Sequence, residues 1–283
     1  MYNQITSIDK YPRSLILKQP KKFDVSEYDF LSVLGQGAFG RVSLVREKAS
    51  GNFFAIKQLK KSDLIKKKQV DHVKNEITIL NSVDHPFIVS MNGMAQDSQY
   101  LYICIEYVQG GELFTHLRRQ RRFGKVQASF FAAQVVLMLE HLHSNNVVYR
   151  DLKPENLLID SMGYLKLSDF GFAKVVKDRT YTICGTPEYI APEILRNQGH
   201  GKGADWWALG VLVYEMLVGI DPFNANDPME IYKRILSLDL KFPTKFYKDG
   251  RSLIKHLLQI DLSKRYGNLS NGNIISLARC QNA

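Results

Sequence analysis

Three groups of residues in this sequence could act on a phosphate. The first is Gly35-Gln-Gly37-Ala38-Phe39-Gly40, a G-x-G-x-x-G spacing in which backbone N–H groups can approach phosphate oxygens with no side chain between. The second is Lys57, closing the run Phe53-Phe-Ala55-Ile-Lys57, whose other members are apolar. A buried ammonium there would be costly without a partner. The third is Tyr149-Arg150-Asp151-Leu-Lys153-Pro-Glu155-Asn156, followed thirteen residues later by Asp169-Phe-Gly171. The glycine spacing alone is compatible with an ordinary hairpin. In a dinucleotide-binding fold it would instead open a helix whose N-terminus meets a pyrophosphate. Here Arg41-Val42-Ser-Leu-Val45 alternates and is rich in branched residues, so the glycines join two strands and the dinucleotide reading is disfavoured.

The elements that must hold these groups follow from periodicity. Phe30–Leu34, Arg41–Val45 and Phe53–Lys57 read as strands separated by Gly-bearing turns, with further strands at Ile88–Met91 and Tyr100–Tyr107. Asp63–Leu80 carries Leu64, Val70, Val73, Ile77 and Leu80 on a common face and reads as one or two helices. After Gly110-Gly111 helices take over, at Leu113–Arg119, Ala128–Ser144, Asp205–Gly219, Pro228–Leu236 and Ser252–Gln259. The expectation is an α+β chain of two lobes. A polar extension covers 1–29, a small β-rich lobe with one main helix 30–106, a hinge 107–112, and a larger helical lobe 113–283.

Composition narrows the class. With 45% hydrophobic and 11% aromatic residues, the 283-residue chain can bury a sizeable core, which excludes a disordered tail. Lys and Arg exceed Asp and Glu by 38 to 28, a net +10. The clusters Lys60, Lys61, Lys66–Lys68 and Arg118, Arg119, Arg121, Arg122 read as solvated helix faces, and no nucleic-acid-binding module accompanies them. Attraction to acidic partners or nucleotide phosphates stays open. Cys104, Cys184 and Cys280 are too few and scattered for a disulfide framework or a zinc site, which suits a reducing compartment. No apolar run approaches the roughly 20 residues a membrane span needs. Trp206–Tyr214, bounded by Asp205 and Glu215, reads as a buried helix. The start lacks a signal-peptide apolar region, and Tyr2 after Met1 rules out N-myristoylation, so the expected location is the cytoplasm or the nucleus.

Together the glycine run with Val42, Ala55-Ile-Lys57, Tyr149–Asn156, Asp169–Gly171 and Ala191-Pro-Glu193 resemble the protein-kinase signature in order and spacing, with Tyr149 in the usual His position. From Phe23 to Gly272 the chain is similar to the cyclic-AMP-dependent kinases of the AGC group. Carrying segments include Glu106-Tyr-Val-Gln-Gly-Gly-Glu112, Thr180-Tyr-Thr-Ile-Cys-Gly-Thr-Pro187 and Asp205-Trp-Trp-Ala-Leu-Gly210.

That resemblance implies a serine/threonine kinase that uses ATP and Mg²⁺. It assigns nucleotide contacts to Leu34, Gly35, Gly37, Ala38, Phe39, Gly40, Val42, Ala55, Lys57, Glu76, Glu106, Val108, Glu112 and Leu158. Glu76 would pair with Lys57. Asp151 would accept the proton of the attacking hydroxyl, Lys153 would face the transferring phosphoryl, and Asn156 and Asp169 would hold the metal. Glu112, Glu155 and Glu215 would receive Arg side chains of the substrate, since guanidinium and carboxylate pair bidentately. Ile183, Pro187 and Ile190 would line an apolar pocket for the residue after the target. Thr182 would be an activation-loop phosphosite met by Arg150, Lys174 and His72. Glu193 and Arg265 would form a structural ion pair, and Cys184 reads as a plain buried thiol before a redox-sensitive one. Expected partners are Arg-containing protein substrates, a cyclic-AMP-binding regulatory subunit and pseudosubstrate inhibitors.

The match fades after Gly272, and the C-terminal tail of AGC kinases, which contributes to the nucleotide pocket, is not found. This motivates an alternative, a non-catalytic kinase-fold scaffold or decoy for regulatory subunits. The lysine and both aspartates on which catalysis would rest are nevertheless present.

Overall fold

A computed structural model of the chain describes residues 19–37 and 40–268. Ala38 and Phe39 of the glycine run, Gly272, Cys280 and most of the polar N-terminal extension lie outside the described residues. The small lobe is an antiparallel sheet ordered β1-β2-β3-β5-β4, with β1 Tyr28–Gly37, β2 Gly40–Glu47, β3 Phe53–Lys60, β4 Met91–Gln96 and β5 Tyr100–Glu106. The period-2 alternation sorts its side chains. Val45, Ile56 and Cys104 cluster on one face with Tyr28 and Tyr102. The opposite face carries Val42, Lys57 and Ile103 as cross-strand neighbours.

Two helices cover that second face, α1 at Lys61–Lys66 and α2 at Val70–Ser82. They pack Leu64, Val73 and Ile77 against Leu59, Met94 and Ile103. Lys68, at φ 54°, makes the break between them, which resolves the choice between one helix and two.

The strand expected at Ile88–Met91 is displaced to Met91–Gln96. Ile88 and Val89 are buried because they pair with the large lobe instead. Val89 N–H donates to the Leu167 carbonyl at 3.0 Å, and Leu167 N–H to the Phe87 carbonyl at 2.8 Å. The apolar run was therefore a seam between lobes, which its composition does not distinguish from a strand.

The large lobe holds α3 (Leu113–Gln120), α4 (Lys125–Ser144), α5 (Pro192–Leu195), α6 (Gly203–Val218), α7 (Pro228–Ser237) and α8 (Lys248–Leu257). Every residue of α6 from Gly203 to Leu217 is buried, so this helix is enclosed on all sides, with α4 and α8 packed against it. It stops at Gly219, at φ 97°, where a Cβ would overlap the Arg121 carbonyl. Helix α8 starts four residues before the expected Ser252, because Gly250 in its first turn disguises the onset. Two ribbons were too short to show a period: β6 (Val147–Val148) with β9 (Lys174–Val175), and β7 (Leu157–Ile159) with β8 (Leu165–Leu167). The connector 107–112 runs from β5 to α3 and is pinned at its far end, where Gly110 and Ile159 exchange backbone bonds of 2.8 and 2.9 Å through Gly110 and Gly111. Among the described residues no helix is long and apolar enough to cross a membrane.

Candidate active site

The site lies where β1–β3, α2 and the β6–β8 loops meet. Cross-strand pairing of Val42 with Lys57 places Lys57 under the glycine hairpin. Its ammonium sits 2.6 Å from Glu76 Oε1 on α2 and 3.4 Å from Asp169 Oδ1 after β8. Desolvation alone would lower the pKa of Lys57, but the two carboxylates outweigh it and hold the amine firmly protonated. Burial pushes Asp169 upward in turn. Lys57, the Gly171 N–H and Lys153 overcome that and leave its carboxyl below the usual value. Asp169 Oδ1 accepts from Lys57 Nζ and from Gly171 N–H, the latter at 3.2 Å. Asp169 and Arg150 both have positive φ, 47° and 71°, backbone strain of the kind concentrated at functional sites.

Asp151 is 5% exposed and fully held. Its Oδ2 accepts from Asn156 Nδ2 at 2.8 Å and lies 3.0 Å from Lys153 Nζ, while Oδ1 accepts from Thr186 Oγ1 at 3.1 Å. Lys153 also donates to Thr186 at 2.9 Å, closing a ring of three side chains. Tyr149, in the expected His position, is buried and donates its hydroxyl to the Ser168 carbonyl at 2.6 Å, tying this loop to the one bearing Asp169.

The donor set suits a hard cation. Asn156 spends its amide nitrogen on the Asp151 carbonyl and carboxylate, leaving the amide oxygen as the atom an ion can use beside the Asp169 carboxylate. Among the described residues no group of three His, Cys, Asp or Glu forms a metal cluster, so an ion here would complete its shell with phosphate and water. In the hairpin a Cβ at Gly35 would meet nothing, and at Gly37 only the Gly40 carbonyl at 3.9 Å. At Gly40 it would overlap the Gln58 carbonyl of β3. Gly40 is thus demanded by the sheet itself, while Gly35 and Gly37 leave open approach.

Ala55 and Val108 are buried and Leu34 is exposed. Leu158 on β7 bridges to Glu112, which caps the start of α3 without spending its carboxylate on the cap. Burial, and secondarily the Glu155 charge, raise the Glu112 pKa. Glu215 is 4% exposed and already committed, accepting from the Tyr189 hydroxyl and from Arg118 at 3.2 Å. Burial also raises its pKa. Glu106 presents no free carboxylate either, since Ser90 and Lys166 occupy both oxygens. Pro187 opens a 3-10 turn beside Ile190, which is buried in the core, whereas Ile183 is 63% exposed.

Thr182 is exposed. Of its expected partners, Arg150 Nε donates to the Phe172 carbonyl at 2.7 Å and leaves Nη1 buried without a partner, and Lys174 reaches Thr180 Oγ1 at 2.9 Å. His72 is bonded to Gln69, the N-cap residue of α2. Burial raises the Cys184 thiol, so a reactive thiolate is disfavoured there. Glu193 and Arg265 form the expected buried pair, at 2.7 and 2.9 Å.

Two side chains that the sequence did not single out hold the site. Asp205, at the start of α6, accepts from Tyr149 N–H at 2.9 Å, Arg150 N–H at 2.8 Å and His143 Nε2 at 2.7 Å. Thr186 joins Asp151 to Lys153. An acid opening an otherwise apolar run was the visible sign for Asp205; nothing local marked Thr186.

Residues 28–273 match the protein kinase domain family. The chain is 50% identical over 252 residues to the cAMP-dependent protein kinase type 3 of Saccharomyces cerevisiae, covering 89% of this chain and 63% of that protein. It is 50% identical over 248 residues to the cAMP-dependent protein kinase catalytic subunit of Dictyostelium discoideum, covering 88% and 38%. Against the cAMP-dependent protein kinase catalytic subunit PRKX of Homo sapiens it is 46% identical over 254 residues, covering 90% and 71%. The chain therefore spans less than two thirds of the yeast and Dictyostelium relatives.

Proposed function

Because this chain belongs to the protein kinase domain family, we propose that it is a serine/threonine kinase moving the γ-phosphate of ATP to Ser or Thr in Arg-rich proteins. The observation that carries the reading is that the Lys57 ammonium lies 2.6 Å from the Glu76 carboxylate and 3.4 Å from that of Asp169, beside the Asp151–Asn156 loop. When bound, Mg-ATP would supply the phosphoryl group and a divalent charge to offset the phosphates.

The protein's share is positioning and charge. Lys57, held protonated by Glu76, would meet the nucleotide phosphates beneath the glycine hairpin. Asp169 and Asn156 would hold the ion through oxygen. Asp151, fixed by Asn156, Lys153 and Thr186, would orient the substrate hydroxyl and accept its proton. Lys153 would remain beside it as a positive charge facing the transferred group. The adenine would lie between Ala55, Val108 and Leu158, with Glu106 offering its backbone. Leu34 and Val42 would cover it from the hairpin.

Glu112 and Glu155 would receive one Arg of the substrate, and Glu215 would do so only by sharing with Arg118. Ile183, Pro187 and Ile190 would flank the residue after the target. A phosphate on Thr182 would satisfy the orphaned Arg150 Nη1 and draw in Lys174 and His72. Acting on such substrates, the chain would pair with a cyclic-AMP-binding regulatory subunit or a pseudosubstrate inhibitor, in the cytoplasm or nucleus.

The test is transfer of phosphate to an Arg-Arg-x-Ser peptide, with and without Mg²⁺. Asp151→Ala should abolish transfer while nucleotide binding persists. Transfer at wild-type rate by that variant would overturn the role of Asp151, and no transfer by the native protein under any phosphorylation state would overturn the kinase reading.

A further inference from the structure

The two ends of the interlobe connector are held by different means. At its far end, backbone bonds between 110–111 and Ile159 fix it to β7. At its near end, beyond the sheet bonds of β5, the fastening is a set of side chains centred on Glu106. Glu106 Oε1 lies 2.8 Å from Lys166 Nζ on β8, and Oε2 accepts from Ser90 N–H at 2.9 Å and Ser90 Oγ at 2.8 Å. Glu106 N–H donates in turn to the Ser90 carbonyl at 3.0 Å. Ser90 follows directly on the seam where Phe87 and Val89 pair with Leu167. Lys166 is the cross-strand partner of Leu158, so it emerges from the same ribbon as the expected adenine floor. One carboxylate thus joins the end of β5, the entry to β4 and the β7–β8 hairpin of the other lobe. Lys166 and Glu106 are only 19% and 24% exposed, which protects the pair from screening.

We propose that Lys166, with Ser90, is a positioning residue that clamps Glu106 and so fixes the hinge backbone against which the nucleotide docks. The inference rests on the kinase reading of the same cleft. Without Lys166, the half-buried carboxylate would have a strong reason to swing to water. The Ser90 contacts would then weaken, and the hinge would have to be ordered at the moment of binding, a cost borne by affinity. Neither Lys166 nor Ser90 is assigned contact with nucleotide, peptide or metal.

The test uses the full chain and a fluorescent ATP analogue. Lys166→Met should weaken nucleotide binding by roughly three- to tenfold. The KM for peptide should stay unchanged, and hydrogen exchange at the 105–108 amides should speed up in the nucleotide-free protein. Lys166→Arg, which keeps the charge, should restore both readouts. Ser90→Ala should act in the same direction more weakly, and it stands in if Lys166→Met fails to fold. If the native protein binds nucleotide and Lys166→Met or Ser90→Ala binds equally well with unchanged exchange, the clamp is refuted. If the native protein binds no nucleotide, the kinase reading itself fails.

Discussion

Replacing Asp205 by Asn exchanges one carboxylate oxygen for an NH₂ group while preserving shape. Asp205 is 1% exposed, and its oxygens serve three donors: His143 and Tyr149 N–H on Oδ2, and Arg150 N–H on Oδ1. An Asn can at best keep its oxygen toward the first two and must then turn an NH₂ against the Arg150 N–H. One bond to a charged acceptor is lost, at about 1.5–3 kcal/mol, and a buried donor is orphaned, at about 1–3 kcal/mol. The other rotamer loses two bonds and is worse. The variant should therefore be about 3–5 kcal/mol less stable, read as a lower urea midpoint at unchanged m-value. Because the bonds hold the backbone next to Asp151, phosphate transfer should fall further than nucleotide affinity, which depends on Lys57 across the cleft. A loss below about 1 kcal/mol with normal transfer would refute the claim that Asp205 anchors this loop.

Arg265→Met should cost about 3–5 kcal/mol, because it leaves Glu193, 4% exposed, as an unpaired buried charge; a double variant Arg265→Met with Glu193→Leu should recover much of that in denaturant titrations. His200 is 2% exposed and burial depresses its pKa from 6.5 to about 4. Its folded pKa lies below the unfolded one, so stability is unaffected above pH 6.5 and falls as pH drops from 6.5 to about 4, by up to about 3 kcal/mol. His200→Phe should flatten that acid limb of the melting-temperature profile, because it removes the titrating ring, whose buried Nε2 has no partner. The raised pKa of Glu112 predicts that the KM for an Arg-containing peptide climbs on acidification from a pH above the ordinary 4.5, while Glu112→Gln shows a high KM with no such step.

Much of the fold was legible because its signals are local. The alternation in β2 and β3 and the apolar run of α6 each report a burial pattern set by a few neighbouring residues. Where the reading slipped, the cause was a competing partner. Ile88 and Val89 look like any strand, and only the nearness of Leu167 turns them into a seam. The ribbons β6–β9 and β7–β8 contain two or three residues per strand, too few for a period to appear. Among site residues, Glu215 and Glu106 were marked by the family resemblance, which carries residue type and position but not neighbours. Type does not reveal that Arg118 and Tyr189 already occupy one, or that Ser90 and Lys166 occupy the other.

Sequence alone determined which atoms are available. Gly35 and Gly37 leave backbone open, Lys57 ends an apolar strand, and Asp151, Asn156 and Asp169 supply oxygen at short spacing. These are properties of residue type and order. Tertiary structure alone decided which charges meet: Lys57 with Glu76 and Asp169, 19 and 112 residues away, and Asp205 with Tyr149 and Arg150, 56 and 55 away. A charge is stabilised by whatever lies within a few ångströms, and for a residue folded against distant segments that neighbourhood is set by packing rather than by chain order.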